Sequence, residues 1–280
     1  MKRFEVLCGD VDHAECVTWD PNGRLVFGTE SGEVWAFDVE LRSKRLIANV
    51  GGFVLGVAVD GDGDVHACVW SDRSVTRCSA VNAPANESSG AEGRPFQTPN
   101  HLAFHPSGSL YVSDSGSSWE ARDGAIFRIA PGGGTEVASE AVAAFPNGLA
   151  IDSSGSYLYV LESSEPRLSR LQIHLDGSLG PAELLAELPR TVPDGLALTD
   201  DGSVAISCFK PDAILLLRNG RIEMLAEDWQ GRFLNSPTNL CFFGHDLRRL
   251  AAANLGARTI VEIAHPLSAG MALHYPTLRA

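Results

Sequence analysis

Six positions spread along the chain carry residue types that could act together. Glu15 and Asp194 bring carboxylates, Asn100 and Asn147 carboxamides, Thr238 a hydroxyl, and Leu55 completes the series without a polar group. Successive intervals are 40, 45, 47, 47 and 44 residues. Oxygen donors that converge on one point suit a hard divalent cation, which takes carboxylate and amide oxygens and completes its shell with water. Two carboxylates against a dication leave a neutral site, and no thiolate or imidazole occupies the series, which argues against structural zinc. Asn and Asp after Pro would also serve as Asx-type turns capping a strand. Because Glu15 is a poor turn-former yet falls in the same register, the cation reading is preferred.

The elements that must position these residues follow from a repeat. Pro99 to Phe104, Pro146 to Ile151, Pro193 to Leu198 and Pro237 to Phe242 each read as Pro, a polar residue, any residue, then apolar alternation. In the first three a Gly follows eight places beyond the polar residue (Gly108, Gly155, Gly202), and a second alternating run returns. The frame also fits Glu15 with Val17, Trp19 and Gly23, and Leu55 with Val57, Val59 and Gly63. A period of roughly 40 to 50 residues holding four short strands is the propeller pattern, whereas a helical solenoid would need apolar spacing of three and four. The fold expected is all-β, a six-bladed β-propeller of four-stranded antiparallel blades around a central channel, with residues 1–280 forming one domain. Phe4 to Leu7 and Met271 to His274 are the candidate strands for closing the ring and hiding its edges. Ala83 to Arg94, rich in Ala, Ser, Gly and Glu, reads as a long mobile surface loop.

Composition agrees and narrows the partners. With 28 Gly, 15 Pro and 44% hydrophobic residues, the chain suits many short strands around a large core. Its 22 Lys and Arg against 35 Asp and Glu give a net charge of −13, which repels phosphate backbones and anionic lipid, so neither nucleic acid nor membrane is expected as a partner. Met1-Lys2-Arg3 leads into charged Glu5 rather than an apolar leader, which makes the expected location cytoplasmic. Six cysteines without a C-x-x-C pair then read as reduced core thiols. Asp60 to Asp64 mimics the start of an EF-hand loop, but Val65 replaces its Gly and Ser71 its terminal Glu, so a strand turn is expected. No H-E-x-x-H, Gly-x-Ser-x-Gly or phosphate-cradling glycine loop occurs.

Pro-Asn-Gly-Leu-Ala at 146–150 and Pro-Asp-Gly-Leu-Ala at 193–197, with Ser207 to Ile214 and Pro237 to Leu240, resemble the senescence marker protein (regucalcin), gluconolactonase and luciferin-regenerating-enzyme family. The resemblance covers nearly the whole chain. It implies that Glu15, Asn100, Asn147 and Asp194 bind one divalent cation, Ca2+ ahead of Zn2+, Mg2+, Mn2+ or Fe2+. It also implies a hydrolase that opens a lactone to a hydroxy acid, the metal polarising the carbonyl and activating water. Lactonases of the family usually carry Asp after the first Asn ligand as general base, where this chain has His101. Imidazole can accept a proton near neutral pH, so His101 and Asp194 are the catalytic candidates. A promiscuous esterase or phosphotriesterase, a lyase or isomerase on the same metal, and a non-catalytic binding propeller are the rival readings.

A small-molecule substrate is the expected partner. Its contacts should come from the loops on the anchor face: Trp70 to Asp72, Asp114 to Asp123, Glu162 to Glu165, Cys208 to Lys210, and Asn254. Trp119, Glu120, Phe209, Thr238 and Asn239 are the substrate-binding candidates, with the third-blade loop as a lid and Trp119 capping an apolar or ring-shaped substrate.

Overall fold

A computed structural model describes residues 3–278. Met1 and Lys2, at the head of the segment read above for a leader, lie outside the described residues, as do the last two residues. Six four-stranded antiparallel sheets follow one another around a channel, and no helix occurs among the described residues, hence none long and apolar enough to cross a membrane. The strands nearest the channel are Ala14–Trp19, Val54–Val59, Pro99–Phe104, Pro146–Ile151, Val192–Leu198 and Pro237–Phe243.

Each inner strand turns back through a hairpin closed by a hydrogen bond from a left-handed residue. Gly23, Gly63, Gly108, Gly155 and Gly202 all have φ between 72° and 89° and donate to the carbonyl three residues earlier. Gly is favoured there because it adopts positive φ without a Cβ clash. In the sixth blade Leu247 takes this place, at φ 52° and donating to Gly244, which is why the repeat loses its Gly at the last turn. The Asp60 to Asp64 run is such a turn, with Asp60 Oδ1 accepting from the Asp62 and Asp64 amides at 2.9 Å each.

Neighbouring sheets pack face to face, so inner strands are buried on both sides and read as near-continuous apolar runs. Val54–Val59 is buried throughout. The core is a set of inter-blade layers, such as Cys16, Val34, Val57 and Ala67 between the first two blades.

Phe4–Cys8 pairs with Ile260–Ile263 and supplies the outer strand of the sixth blade, closing the ring as expected at that end. The expected second strand, Met271 to His274, does not form. Phe4–Cys8 already occupies the available edge, and the C-terminal segment instead crosses the channel end opposite the six anchors. Met271 N–H donates to Leu198 O, the His274 ring meets Asp152 O, Tyr275 OH donates to Trp19 O, and Gly61 N–H donates to Pro276 O. The apolar side of this segment covers a channel cavity of about 80 Å3, lined among others by Val17, Leu149, Leu196 and Met271.

The stretch from Ala83 to Arg94 is also ordered differently from the expectation. Ala85–Ser88 is the outer strand of the second blade, and Gly90–Ala91 pairs with Arg94–Pro95 as a small hairpin. Ser88 Oγ lies 2.7 Å from Thr135 Oγ1 of the third blade, and the hairpin leads to Phe96, fully buried edge-on to Phe127 at 4.8 Å. Burying that one ring contributes about 1.5–3 kcal/mol, enough to hold a segment whose own composition is polar.

Candidate active site

All six anchors lie where the ladder between the first two strands of a blade loses register. In the third blade Pro99 pairs with Asp114 but the next pair is Leu102 with Val112; in the fourth, Pro146 pairs with Glu162 and then Leu149 with Val160. Equivalent breaks enclose Glu15, Leu55, Asp194 and Thr238. A bulge bends the strand and re-aims the extra side chain, so one repeated backbone feature sets all six buried positions, although Leu55 packs in an apolar layer with Phe96 and Leu102. Glycines after the anchors permit the crowding. A Cβ on Gly148 would lie 2.4 Å from Asp194 O, and one on Gly195 2.6 Å from Thr238 O.

Glu15 and Asp194 are the buried acids of this ring. Burial and then the charge of Asp194 raise the Glu15 carboxyl well above the usual range, against a lowering hydrogen bond from Thr238. Burial pushes Asp194 up to about 8, although a hydrogen bond from Asn147 opposes it. Glu15 Oε2 is buried with no hydrogen-bond partner. Two desolvated carboxylates, one of them raised further by the charge of the other and left with an orphaned oxygen, are the electrostatic complement of a cation. Among the described residues no group of three or more His, Cys, Asp and Glu side chains could hold a metal, so a cation here would rest on two carboxylates with amide oxygens.

The carboxamides are oriented by residues the sequence reading did not single out. Asn100 Nδ2 donates to Ser115 Oγ at 3.0 Å, and Ser115 donates onward to Pro146 O at 2.8 Å. Asn147 Nδ2 donates to Ser163 Oγ at 3.2 Å, and Ser163 donates to Pro193 O at 2.6 Å. The Asn100 nitrogen is thereby tied to its blade, and the Asn147 nitrogen is shared between Ser163 and the Asp194 carboxyl. The sequence signal was available in the matching pairs Asp114-Ser115 and Glu162-Ser163, each ending a second strand. Thr238 ties the ring shut, its hydroxyl donating to Glu15 O at 2.7 Å.

His101 and Asn239 lie one residue beyond their anchors and share the channel lining with Val17, Leu149 and Leu196. His101 Nε2 is 2.8 Å from Asn239 Nδ2, and the Leu149 amide donates to Nδ1 at 3.3 Å. Burial lowers the imidazole to about 4. Trp119 stands on the anchor face, 41% exposed, with its ring 5.0 Å from that of Phe145, and Glu120 beside it is exposed. Phe209 is half-buried under Lys210, whose Nζ is 5.6 Å from the ring centroid.

Several expected wall residues are engaged in the scaffold. Asp114 accepts from the amides of Gln97, Thr98 and Gly116, Glu162 accepts from the Ala144 amide and pairs with Arg167, and Asn254 Oδ1 accepts from the Asn235 amide. These acceptors satisfy backbone donors of the loops that lead into the inner strands, a need that outweighs exposure to a ligand.

A six-bladed propeller with oxygen donors gathered at one mouth of a channel defines the class of protein. Residues 85–253 match the SMP-30/Gluconolactonase/LRE-like region, and the chain belongs to that family. Among solved structures it is similar to a gluconolactonase from Xanthomonas campestris, with 19% identity over 94% of this chain and 89% of that one and a TM-score of 0.79. It is also similar to a calcium-binding regucalcin from Agrobacterium tumefaciens, with 18% identity, 98% and 97% covered, and a TM-score of 0.78. At these identities the likeness shows the fold. A curated relative, strictosidine synthase-like 13 of Arabidopsis thaliana, is 29% identical over 143 residues, 46% of this chain and 34% of that protein. The match spans about a third of that relative's length.

Proposed function

We propose that this protein is a divalent-metal-dependent lactonase, opening a cyclic ester to a hydroxy acid in the cytoplasm. The observation that carries the reading is the buried pair Glu15 and Asp194, with Glu15 Oε2 left unpartnered at the channel mouth. Glu15, Asn100, Asn147 and Asp194 would hold the cation, Ca2+ first among the hard dications such oxygens accept. When bound, that ion supplies Lewis-acid polarisation of the ester carbonyl and a lowered pKa for water.

The chain's own residues do the rest. Ser115 and Ser163 fix the two carboxamides, and His101 with Asn239 floors the site, so substrate enters from the anchor face. Hydrolysis joins water oxygen to the carbonyl carbon and breaks the ring C–O bond, and the ring oxygen leaves as a hydroxyl. The proton that moves between these oxygens needs a carrier, for which the Asp194 carboxylate and His101 Nε2 are at hand. Trp119, Glu120, Phe209 and Thr238 bound the space left for substrate. The six free buried cysteines support a reducing compartment.

A panel of aldonolactones, aromatic lactones and phosphotriesters, assayed with Ca2+, Mg2+, Mn2+, Zn2+ and Fe2+, tests the reading. Lactone hydrolysis that disappears on chelation and in Asp194→Asn is expected. Undiminished turnover after chelation would overturn metal dependence, and phosphotriester turnover alone would reassign the substrate. His101 in the place of the family's Asp favours one second reading, a lyase or isomerase on the same centre, which product analysis by mass spectrometry separates from water addition.

A further inference from the structure

The loop from Ser115 to Gly124 is built as a platform. Asp123 accepts from the Ser117 amide at 3.0 Å and from its hydroxyl at 2.6 Å, closing the loop on itself. Arg94, before the third blade, donates to Asp123 O at 2.7 Å, and Arg122 reaches Glu165 of the fourth blade at 2.5 Å, so both neighbours hold it. Gly116 at φ 88° allows the tight return, where a Cβ would meet Asp123 Oδ1 at 2.2 Å. What this braced loop presents is the indole of Trp119, left 41% exposed and tilted at 50° on Phe145.

Phe145 ties that platform to the anchors. It lies two residues before Asn147, so their Cα atoms are at most about 7 Å apart. Its φ of 57° is in the left-handed region, where a bulky aromatic is rare. The same conformation recurs at His13 and Ser236, the matching positions of the first and sixth blades. The backbone is therefore set by the fold, and the ring is what this blade adds. Meanwhile most of the polar groups near the ring that could read substrate hydroxyls are already spent, Asp123 on Ser117, Arg122 on Glu165 and Asp114 on three backbone amides, which leaves the exposed Glu120 carboxylate beside Trp119.

We infer that Trp119 on Phe145 is a binding wall for a flat apolar ring, and that the lactones preferred are aryl-fused rather than polyhydroxylated. The preference rests on the lactonase reading, whereas the wall does not. A rigid aromatic surface binds a planar ring at little cost in ordering and offers a sugar no partners for its hydroxyls.

The test uses the whole chain, with dihydrocoumarin and glucono-1,5-lactone as substrates and dihydroquinolinone, a lactam of dihydrocoumarin's shape, as a non-hydrolysed probe. The wild type should favour dihydrocoumarin in kcat/KM by about tenfold or more, and Trp119→Ala should remove that preference through KM. Calorimetry should show dihydroquinolinone binding weakened about tenfold in Trp119→Ala and largely kept in Trp119→Phe, which also controls for folding. If no lactone is turned over but this binding pattern holds, the lactonase reading falls and the wall stands. Failure of the wild type to bind dihydroquinolinone, or equal binding by Trp119→Ala, overturns the wall. A preference for the sugar lactone overturns the substrate assignment.

Discussion

His101 of the third blade and Asn239 of the sixth meet across the channel, Nε2 to Nδ2, at 2.8 Å. Because the Leu149 amide points at Nδ1, a hydrogen-bond donor faces each ring nitrogen. A neutral imidazole can accept at one of them, and an imidazolium at neither. The contacts and the burial therefore act in one direction, holding the ring neutral, with its pKa lowered to about 4. His101 is in this respect a brace as well as a candidate base.

The brace makes a first prediction. His101→Ala should cost about 2–4 kcal/mol in urea unfolding, because it opens a hole beneath the anchors and leaves the Leu149 amide without its acceptor. Stability unchanged within error, with turnover abolished, would assign His101 to proton transfer alone.

The acids predict opposite effects with and without cation. Glu15→Gln removes a buried carboxyl that burial and the charge of Asp194 hold well above its usual range, so the chelated variant should melt above the chelated wild type, by about 2–4 °C for each kcal/mol relieved. Added Ca2+ should stabilise the wild type, by about 2.7 kcal/mol at a hundredfold excess over Kd, and leave the variant unmoved. A variant stabilised by Ca2+ as strongly as wild type would place the cation elsewhere.

The serines behind the carboxamides should matter to affinity more than to folding. Ser115→Ala and Ser163→Ala each free an amide to rotate, and loss of such outer-shell support lowers metal affinity about 10- to 100-fold. The stability cost should be about 1 kcal/mol, that of one hydrogen bond. Ser154→Ala, on an exposed turn, is the control. Calorimetric titration of Ca2+ reads the effect without any substrate, and unchanged affinity in both variants would remove the serines from the site.

The blades and their six anchors could be read from the chain because backbone demands recur: a left-handed turn that wants Gly, alternation that wants burial, a bulge that wants a turned side chain. Where a different residue met the same demand, the signal faded, as at Leu247 in the last turn. Met271 to His274 carries strand-like alternation, but whether a strand forms depends on a free edge, and Phe4–Cys8 already filled it. The matching places of Ser115 and Ser163 after Asp114 and Glu162 were legible, but their role was hidden for another reason. Each lies 15 or 16 residues from the carboxamide it orients, and its second partner is a carbonyl of the next blade, so its role exists only once blades are packed. Asp114, Glu162 and Asn254 show the converse, since an acceptor at a strand end reads equally as a ligand group or as a partner for backbone amides.

A last prediction concerns pH and lies away from the mouth. His66 is fully buried in the second blade, with Nδ1 2.5 Å from Glu87 Oε2 and Nε2 3.3 Å from Asp60 Oδ2, and the ring stands edge-on to Phe104. Arg77 completes the cluster, 2.8 Å from Asp64 and 3.4 Å from Asp60. Burial alone would lower the imidazole, but the hydrogen bonds and charges of Asp60 and Glu87 outweigh it and raise His66 above its ordinary value. Burial likewise pushes Asp60 up, and His66, the Asp64 amide and Arg77 together bring it below its ordinary value. A raised histidine stabilises the fold fully below about pH 6.5, and that contribution is lost as pH climbs through the folded value. A lowered aspartate contributes above about pH 3.8 and loses its contribution as pH falls through the folded value. The cluster should therefore stabilise most between those limits. His66→Gln should cost about 2–3 kcal/mol at pH 6, less than a fully buried pair because Arg77 still faces Asp60 and Glu87 is partly exposed. In urea unfolding at a series of pH values the gap between variant and wild type should narrow from pH 6 to pH 9. A gap independent of pH would mean that His66 packs here as a neutral ring.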